Sequence, residues 1–366
     1  MVKLSREMVK VMVEEFGPDE FLKRITDPVW FQSLGTVLAF DWNASGLTTI
    51  LTAALKEAIR DRQKDLGIFI CGGKGKTSRK TPEEILSWAN NLGMEFKTAN
   101  QLVYNSKMAA KVDGSLVQDG YQIYHHSFFF SSNGRWAVVQ QGMNINNQTA
   151  RRYHWYSDSL NFHSPLNNSD CLVLEPHSGI FAAKKSSVLN LTSRKSEKNQ
   201  ETSVQLVRAG FKGLIKDVKI LAEHSTEVSK ILRLKKEKQQ LTLLSLANKD
   251  FDFHPVVLEN SLRNKYLAKI LYKLTEEKPK SYEGLLATSG VGPRTIRALS
   301  LVAEVIYGAK PSYEDPARYS FAHGGKDDIP YPVDVRTYDQ TIKIIKNLVN
   351  KTKLPISEKE KILKNN

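Results

Sequence analysis

Residues 288–299, TSGVGPRTIRAL, set two glycines around a valine between two stretches of helix-forming sequence. In Ser289-Gly290-Val291-Gly292 the glycines tolerate positive φ and let another backbone come close. The N–H groups of Gly290 and Gly292, with those opening the following helix at Arg294 and Thr295, have no intrahelical acceptor. Together with the helix dipole they would hold a phosphate. Arg294 adds a permanent charge beside the turn. Such a grip holds a nucleic-acid backbone without reading bases.

A second phosphate-binding candidate is GGKGKTSRK, 72–80, where Lys74, Lys76 and Arg79 sit in a glycine-rich loop after a short apolar run. It lacks the glycine-to-lysine spacing of a nucleotide-binding loop, so nucleic-acid phosphate is the better match. The segment from Lys107 to His154 gathers other reactive types. Asp113, Asp119 and Glu175 with Lys111 are what a divalent-metal nuclease centre would use, although no spacing enforces it. His125 and His126 must point to opposite faces of a strand and cannot share one metal. Gln140 and Gln141 suit base-edge recognition, and Tyr121, Tyr124, Trp136, Tyr153 and Trp155 are candidates for stacking on bases or for the core.

The elements that position these residues follow from pattern. Helices are expected at 3–26, at 41–67 with Asn43 or Ser45 as cap and Gly67 closing, and from Thr81-Pro82-Glu83-Glu84 onward. YQIYHHSFFF and RWAVVQQGM, joined by SSNG, predict a β-hairpin over 121–143, and short strands are expected at 171–175 and 186–192. Beyond about 204 strand texture disappears, and helices are suggested at 204–234, 237–247, 256–275, 281–287, 293–307 and 335–350. The fold class is therefore α+β: a mixed domain over 1–203 with an antiparallel hairpin and the basic glycine loop, and an all-α domain over 204–366.

Composition narrows the partners. Fifty-three Lys and Arg against thirty-nine Asp and Glu give a net charge of +14, a surface potential that draws DNA or RNA. Two cysteines, Cys71 and Cys171, are too few for a disulfide framework or a cysteine-ligated metal. No apolar run reaches the roughly 18 residues needed to span a bilayer, so no membrane partner is expected. The N-terminus lacks the apolar core of a secretory signal, which points to the cytoplasm.

LLATSGVGPRTIRAL, 285–299, resembles the helix-hairpin-helix element of DNA-binding and DNA-repair proteins, and PVDV at 332–335 resembles the segment that completes it in the base-excision DNA glycosylase superfamily. This resemblance spans roughly 250–350 and implies phosphate binding at Gly290, Gly292 and Thr295 and a catalytic carboxylate at Asp334. As an N-cap, Asp334 would stay ionised in front of the hairpin, able to stabilise a sugar cation or activate water; the alternative is an N-cap and nothing more. Bifunctional glycosylases carry lysine where Arg294 stands, and a guanidinium cannot form a Schiff base, so a monofunctional hydrolase is implied. The long connection at 309–331 departs from the superfamily's usual length. Across nearly its whole length, through FDWNASGLTT, GGKGKTSRKTPEEI, VQDGYQIYHHSFFF, WAVVQQGMN and ARRYHW, the chain is similar to a prokaryotic family of unknown function, number seven-sixty-three, which implies no activity. The expectation is a DNA-repair N-glycosylase acting on an extruded base, with a metal-dependent nuclease or a non-catalytic DNA-binding module as alternatives. No cofactor is assigned; a monovalent cation at the hairpin or a divalent metal are the ions these residues could take.

Overall fold

A computed structural model describes residues 2–38, 46–145, 148–157, 172–182, 186, 188–221, 265–317 and 335–364. The fold is mixed α+β around a five-stranded antiparallel sheet of order β1-β3-β4-β5-β6. Its strands are β1 (Ile68–Lys74), β3 (Gln122–Ser131), β4 (Trp136–Asn144), β5 (Thr149–Tyr156) and β6 (His177–Ala182). β2 (Val117–Gln118) and β7 (Leu189–Asn190) form a separate two-stranded pair.

Strand alternation divides the apolar side chains between two faces. Ile68, Ile70, Phe129, Ala137 and Val139 face a layer built from α1 (Val2–Ile25), α2 (Pro28–Val37) and α3 (Leu47–Ala58). Phe69, Cys71, Phe128, Phe130, Trp136, Val138 and Trp155 face α5 (Thr81–Asn91) and α6 (Phe96–Ser115). Behind α6 lie α7 (Glu197–Ala209), α8 (Lys265–Glu277), α9 (Tyr282–Ala287) and α10 (Pro293–Leu301), in one continuous apolar core with that second face. The fully buried rings of Phe128, Phe129 and Phe130 each contribute roughly 1.5–3 kcal/mol. The outward turns use expected chemistry: α1 bends at Gly17 (φ 82°) before Pro18, and the short α4 (Gln63–Leu66) is closed by Gly67 in the left-handed region.

Several expected elements fall differently. The helix expected over 41–67 is α3 followed by a break at Asp61, whose φ is +66°, and Asn43 and Ser45 lie outside the described residues. Residues 172–175 form a turn instead of a strand: Glu175 adopts φ +46° and Pro176 cannot donate to a ladder, so β6 starts at His177. Of the expected strand 186–192, Leu189–Asn190 is the part that pairs as a strand among the described residues. The boundary expected at 203 falls inside α7, which packs on α8, α9 and α10. The last long helix, α11 (Val335–Lys351), packs on α1 and α2 through Ile345, Leu348 and Val349, across the sheet from α8–α10. The helices suggested at 237–247 and over the first part of 256–275 lie outside the described residues.

Candidate functional site

The segment 281–301 forms two helices joined by a tight turn. Ser281 caps α9 by accepting from Gly284 N–H at 3.1 Å, and the helix ends at Ala287 before Thr288. Val291 is buried against the core, as its place between the helices requires, and its N–H donates to Thr288 O at 3.2 Å. Gly290 takes φ +93°, which favours glycine, and a Cβ there would meet Ile270 Cδ1 at 2.5 Å and push the end of that side chain aside. Gly292 departs from the expectation of positive φ. It is the extended N-cap of α10, and a Cβ on it would meet nothing within 4 Å. There glycine is not a steric requirement.

Pro293 opens α10, and no backbone carbonyl of the described residues accepts from the N–H groups of Gly290, Gly292, Arg294 or Thr295. Gly290 and Arg294 are exposed and Gly292 is half-buried, whereas the Thr295 side chain is buried and can offer only its backbone. The start of α10 is pinned from β2: Gln118 Nε2 donates to Pro293 O at 3.0 Å and Gln118 Oε1 accepts from Arg297 Nε at 2.6 Å. Cations crowd the turn from three elements. Lys111 Nζ on α6 donates to Thr288 O at 2.9 Å, and Lys273 Nζ on α8 donates to Ser289 O at 3.1 Å. Burial first, and then the neighbouring Lys273, lower the pKa of Lys111; burial and then Arg294 lower that of Arg297. Burial is the larger cause of both depressions, and the neighbouring positive charge adds to it. Thr288 O and Ser289 O, two carbonyls of the turn, already accept ammonium hydrogens, so a cation on either would have to displace a lysine.

Lys273 and its neighbour Tyr266 escaped the sequence reading, although their seven-residue spacing on an amphipathic helix is visible. Lys111 carries no local signal for this role, because its partner is distant in sequence.

The glycine loop is tied to the sheet more than it is open. Gly72 has φ +83° and lies against His126 O and Thr81 Oγ1, each 2.4 Å from where a Cβ would stand. Its N–H donates to Glu84 Oε2 at 2.9 Å, and Lys56 Nζ bridges Gly72 O at 3.0 Å and the same Glu84 oxygen at 2.6 Å. That backbone amide is therefore occupied by a carboxylate. What remains is a 3-10 turn over Gly75–Lys80 with Lys74, Lys76, Arg79 and Lys80 exposed, and Lys74 Nζ 6.0 Å from the Tyr124 ring centroid. The loop packs on β1, β3 and α5, while α10 packs on α6, α7 and α8.

At the end of the sheet near His125 the polar side chains pair with one another. On the α6 face, Ser106 Oγ bonds His126 Nε2 at 2.9 Å, His126 Nδ1 bonds Gln140 Oε1 at 2.9 Å, and Gln140 Nε2 donates to Asp113 Oδ2 at 2.5 Å. Trp155 Nε1 donates to the same oxygen at 3.0 Å, and His177 Nε2 lies 2.6 Å from Asp113 Oδ1. Beside this chain Arg151 bridges Asp119 at 2.9 Å and Asp315 at 2.8 Å, all three side chains being essentially inaccessible. Burial pushes the Asp119 carboxyl up, while Arg151, the Tyr153 hydroxyl and the Tyr121 N–H pull it back down.

On the opposite face His125 Nε2 bonds Thr52 Oγ1 at 3.0 Å, so the two histidines do point apart. Burial, with His126 and Lys74, lowers the His125 pKa to about 3, and burial lowers that of Arg152 to about 9.

This network goes against two expectations, the carboxylate metal site and base-edge reading by the glutamines, and resolves the alternative left open for the aromatic rings. Asp113 and Asp119 are fully engaged by donors, Glu175 accepts from Arg194 N–H in a separate turn, and no group of three or more metal-ligating side chains occurs among the described residues. A nuclease metal on these carboxylates would first have to expel their partners. Gln140 and Gln141 are buried, holding Asp113 and the Tyr124 hydroxyl, and cannot read base edges. Tyr121, Trp136, Tyr153 and Trp155 are core residues.

Asp334 lies outside the described residues and directly precedes α11 in sequence. The model of a family described as a protein of unknown function, DUF763, matches residues 1–333. The chain belongs to the DUF763 family. The DUF763 match takes in the sheet, the basic loop and the hairpin and stops just short of Asp334. No curated protein and no solved structure matches the chain.

Proposed function

We propose that this DUF763 protein binds DNA through the turn at 288–297 and acts in DNA repair, with N-glycosylase chemistry on an extruded base as the activity to test. One observation carries the reading: four backbone N–H groups without a carbonyl partner lie in one exposed turn that also gathers Lys273, Lys111 and Arg294. A helix N-terminus facing such a cluster attracts an anion, and a repeating anion extends the same attraction along its length. The exposed Lys74, Lys76 and Arg79 offer a second basic surface on another part of the sheet.

Base release would add a carboxylate, and Asp334 is the residue assigned to it. The helix that follows Asp334 packs on the face of the sheet opposite the hairpin, which favours the binding half of the reading over the catalytic half. Labelled duplexes carrying uracil, oxidised, alkylated or abasic residues, incubated with and without divalent metal, test both halves. Binding that weakens steeply with salt supports the DNA contact; full base release by Asp334→Asn would remove the catalytic assignment.

A further inference from the structure

At the end of the sheet that carries the basic loop, Lys74 of β1, His125 of β3, Gln141 of β4 and Arg152 of β5 stand in one cross-strand row. The register slips there: Ile123 and His125 pair with the consecutive residues Gly142 and Gln141, so Tyr124 is an inserted residue. Such a bulge re-aims side chains. The Tyr124 hydroxyl accepts from Gln141 Nε2 at 2.5 Å, which brings the half-buried phenol onto the face that His125 occupies, and Lys74 Nζ lies 6.0 Å from its ring centroid. Exposure falls steeply along the row, from an exposed Lys74 to His125 at 1%.

His125 is only half satisfied. Its Nε2 meets Thr52 Oγ1 at 3.0 Å and Ser127 Oγ at 3.1 Å, but its Nδ1 is buried with no partner among the described residues. A buried polar atom left unmatched costs stability, and a ligand that reaches it removes the cost. Ser127 Oγ can donate to Nε2, which places the ring hydrogen on Nδ1 and makes that atom a donor in need of an acceptor. The charges beside it have the matching sign. Lys74, Lys76, Arg79 and Lys80 are exposed and none pairs with a carboxylate among the described residues, whereas Lys56 nearby is held by Glu84 at 2.6 Å. An anion that reaches both Lys74 and Nδ1 must extend one oxygen inward from the surface. A backbone phosphodiester is tied into its chain on both sides and stays outside, while a monoester has a free end and carries roughly two negative charges near neutral pH.

We propose that this end of the sheet is a binding site for a phosphate monoester, with Lys74 on its charge, His125 Nδ1 donating to one of its oxygens and the Tyr124 ring beside the group that bears the phosphate. Lys76, Arg79 and Lys80 draw the anion in. The ester belongs to a free nucleotide or to the phosphorylated end of a nucleic-acid strand, and the phosphate chemistry is the same in both. The site does not depend on the turn at 288–297, because the loop packs on β1, β3 and α5 while α10 packs on α6, α7 and α8.

Titration calorimetry on the full chain tests the site with two pairs of probes: thymidine monophosphate against thymidine, and an end-phosphorylated oligothymidylate against its unphosphorylated counterpart. At least one phosphorylated probe should bind more tightly than its counterpart. Lys74→Ala, a surface change, should weaken that probe about tenfold or more, the order of one charge-assisted hydrogen bond, with thermal unfolding unchanged. Nitrogen-detected NMR should find the His125 ring hydrogen on Nδ1 and a shift of that signal when the probe is added. A preference confined to the oligonucleotide pair assigns the ester to a strand end, and a preference in the mononucleotide pair with equal binding of the two oligonucleotides assigns it to a free nucleotide. No preference in either pair, an unaltered affinity in Lys74→Ala, or a His125 signal that stays in place would overturn the site and leave the DNA-binding reading of the turn standing.

Discussion

Around Asp113 and Asp119 the polar groups of the sheet satisfy one another out of reach of solvent, whereas around Gly290 basic side chains from three elements gather at an exposed turn. Both regions are rich in residue types that perform chemistry. In the first, Ser106, His126, Gln140, Asp113 and His177 form an unbroken chain of hydrogen bonds between α6 and the sheet. In the second, Lys111, Lys273, Arg294 and Arg297 are gathered around the turn, with Glu277 Oε1 3.5 Å from Lys273 Nζ. A buried, paired network specifies and rigidifies a core, while clustered like charge persists where a ligand compensates it. Reactive residue types therefore indicate a site only when they are left with something to bind.

The contrast breaks most severely at Arg151. Replacing it with methionine leaves Asp119 and Asp315 buried without their cation, and urea unfolding should show a loss of about 3–5 kcal/mol; a loss below about 1 kcal/mol would mean that the network is solvated. Acid probes the same region through His125. Its folded-state pKa of about 3 lies below the unfolded value near 6.5, so the stability it contributes is fully present above about pH 6.5 and is lost as pH falls toward 3. Near pH 5 the loss from this one residue should be about 2 kcal/mol by chemical denaturation, and His125→Gln should show a correspondingly flatter pH dependence.

On the hairpin side, Gly290→Ala forces a left-handed backbone and a clash with Ile270, and should cost about 1–2 kcal/mol of stability and weaken DNA binding. Unchanged stability would show that the turn can rearrange. The smallest effect belongs to the loop: Lys76→Ala or Arg79→Ala should leave stability within about 0.5 kcal/mol and reduce the salt slope of DNA binding by about 1 if that side chain touches a phosphate.

Much of the architecture was legible. The β3–β4 hairpin, α1, α5 and the paired helices α9 and α10 follow from alternation, SSNG, Thr81-Pro82 and the glycine turn. Two strands of the five-stranded sheet were not. β5, ARRYHWY in its body, hides its pattern because Arg151, Arg152 and His154 are buried and paired, so polarity no longer alternates with exposure. β6, HSGIFA, lies beyond the apolar LVLE, which instead plugs the core from a turn through Val173. The hairpin's glycine turn, buried Val291 and exposed Arg294 could be read locally, but Lys111 and Gln118 reach it from α6 and β2 through contacts no local pattern records. The packing of α11 across the sheet, which separates it from the hairpin, likewise depends on long-range burial of Ile345, Leu348 and Val349.

The most direct test of the account is DNA affinity as a function of salt for the unaltered protein and for Lys273→Ala combined with Arg294→Ala, both of which are surface changes that should leave thermal unfolding in place. The account predicts that the logarithm of affinity falls linearly with the logarithm of salt concentration, and that the double variant binds about tenfold or more weakly with a slope reduced by about 2. A double variant that binds DNA with the affinity and slope of the unaltered protein, or an unaltered protein that does not bind at low salt, would contradict it.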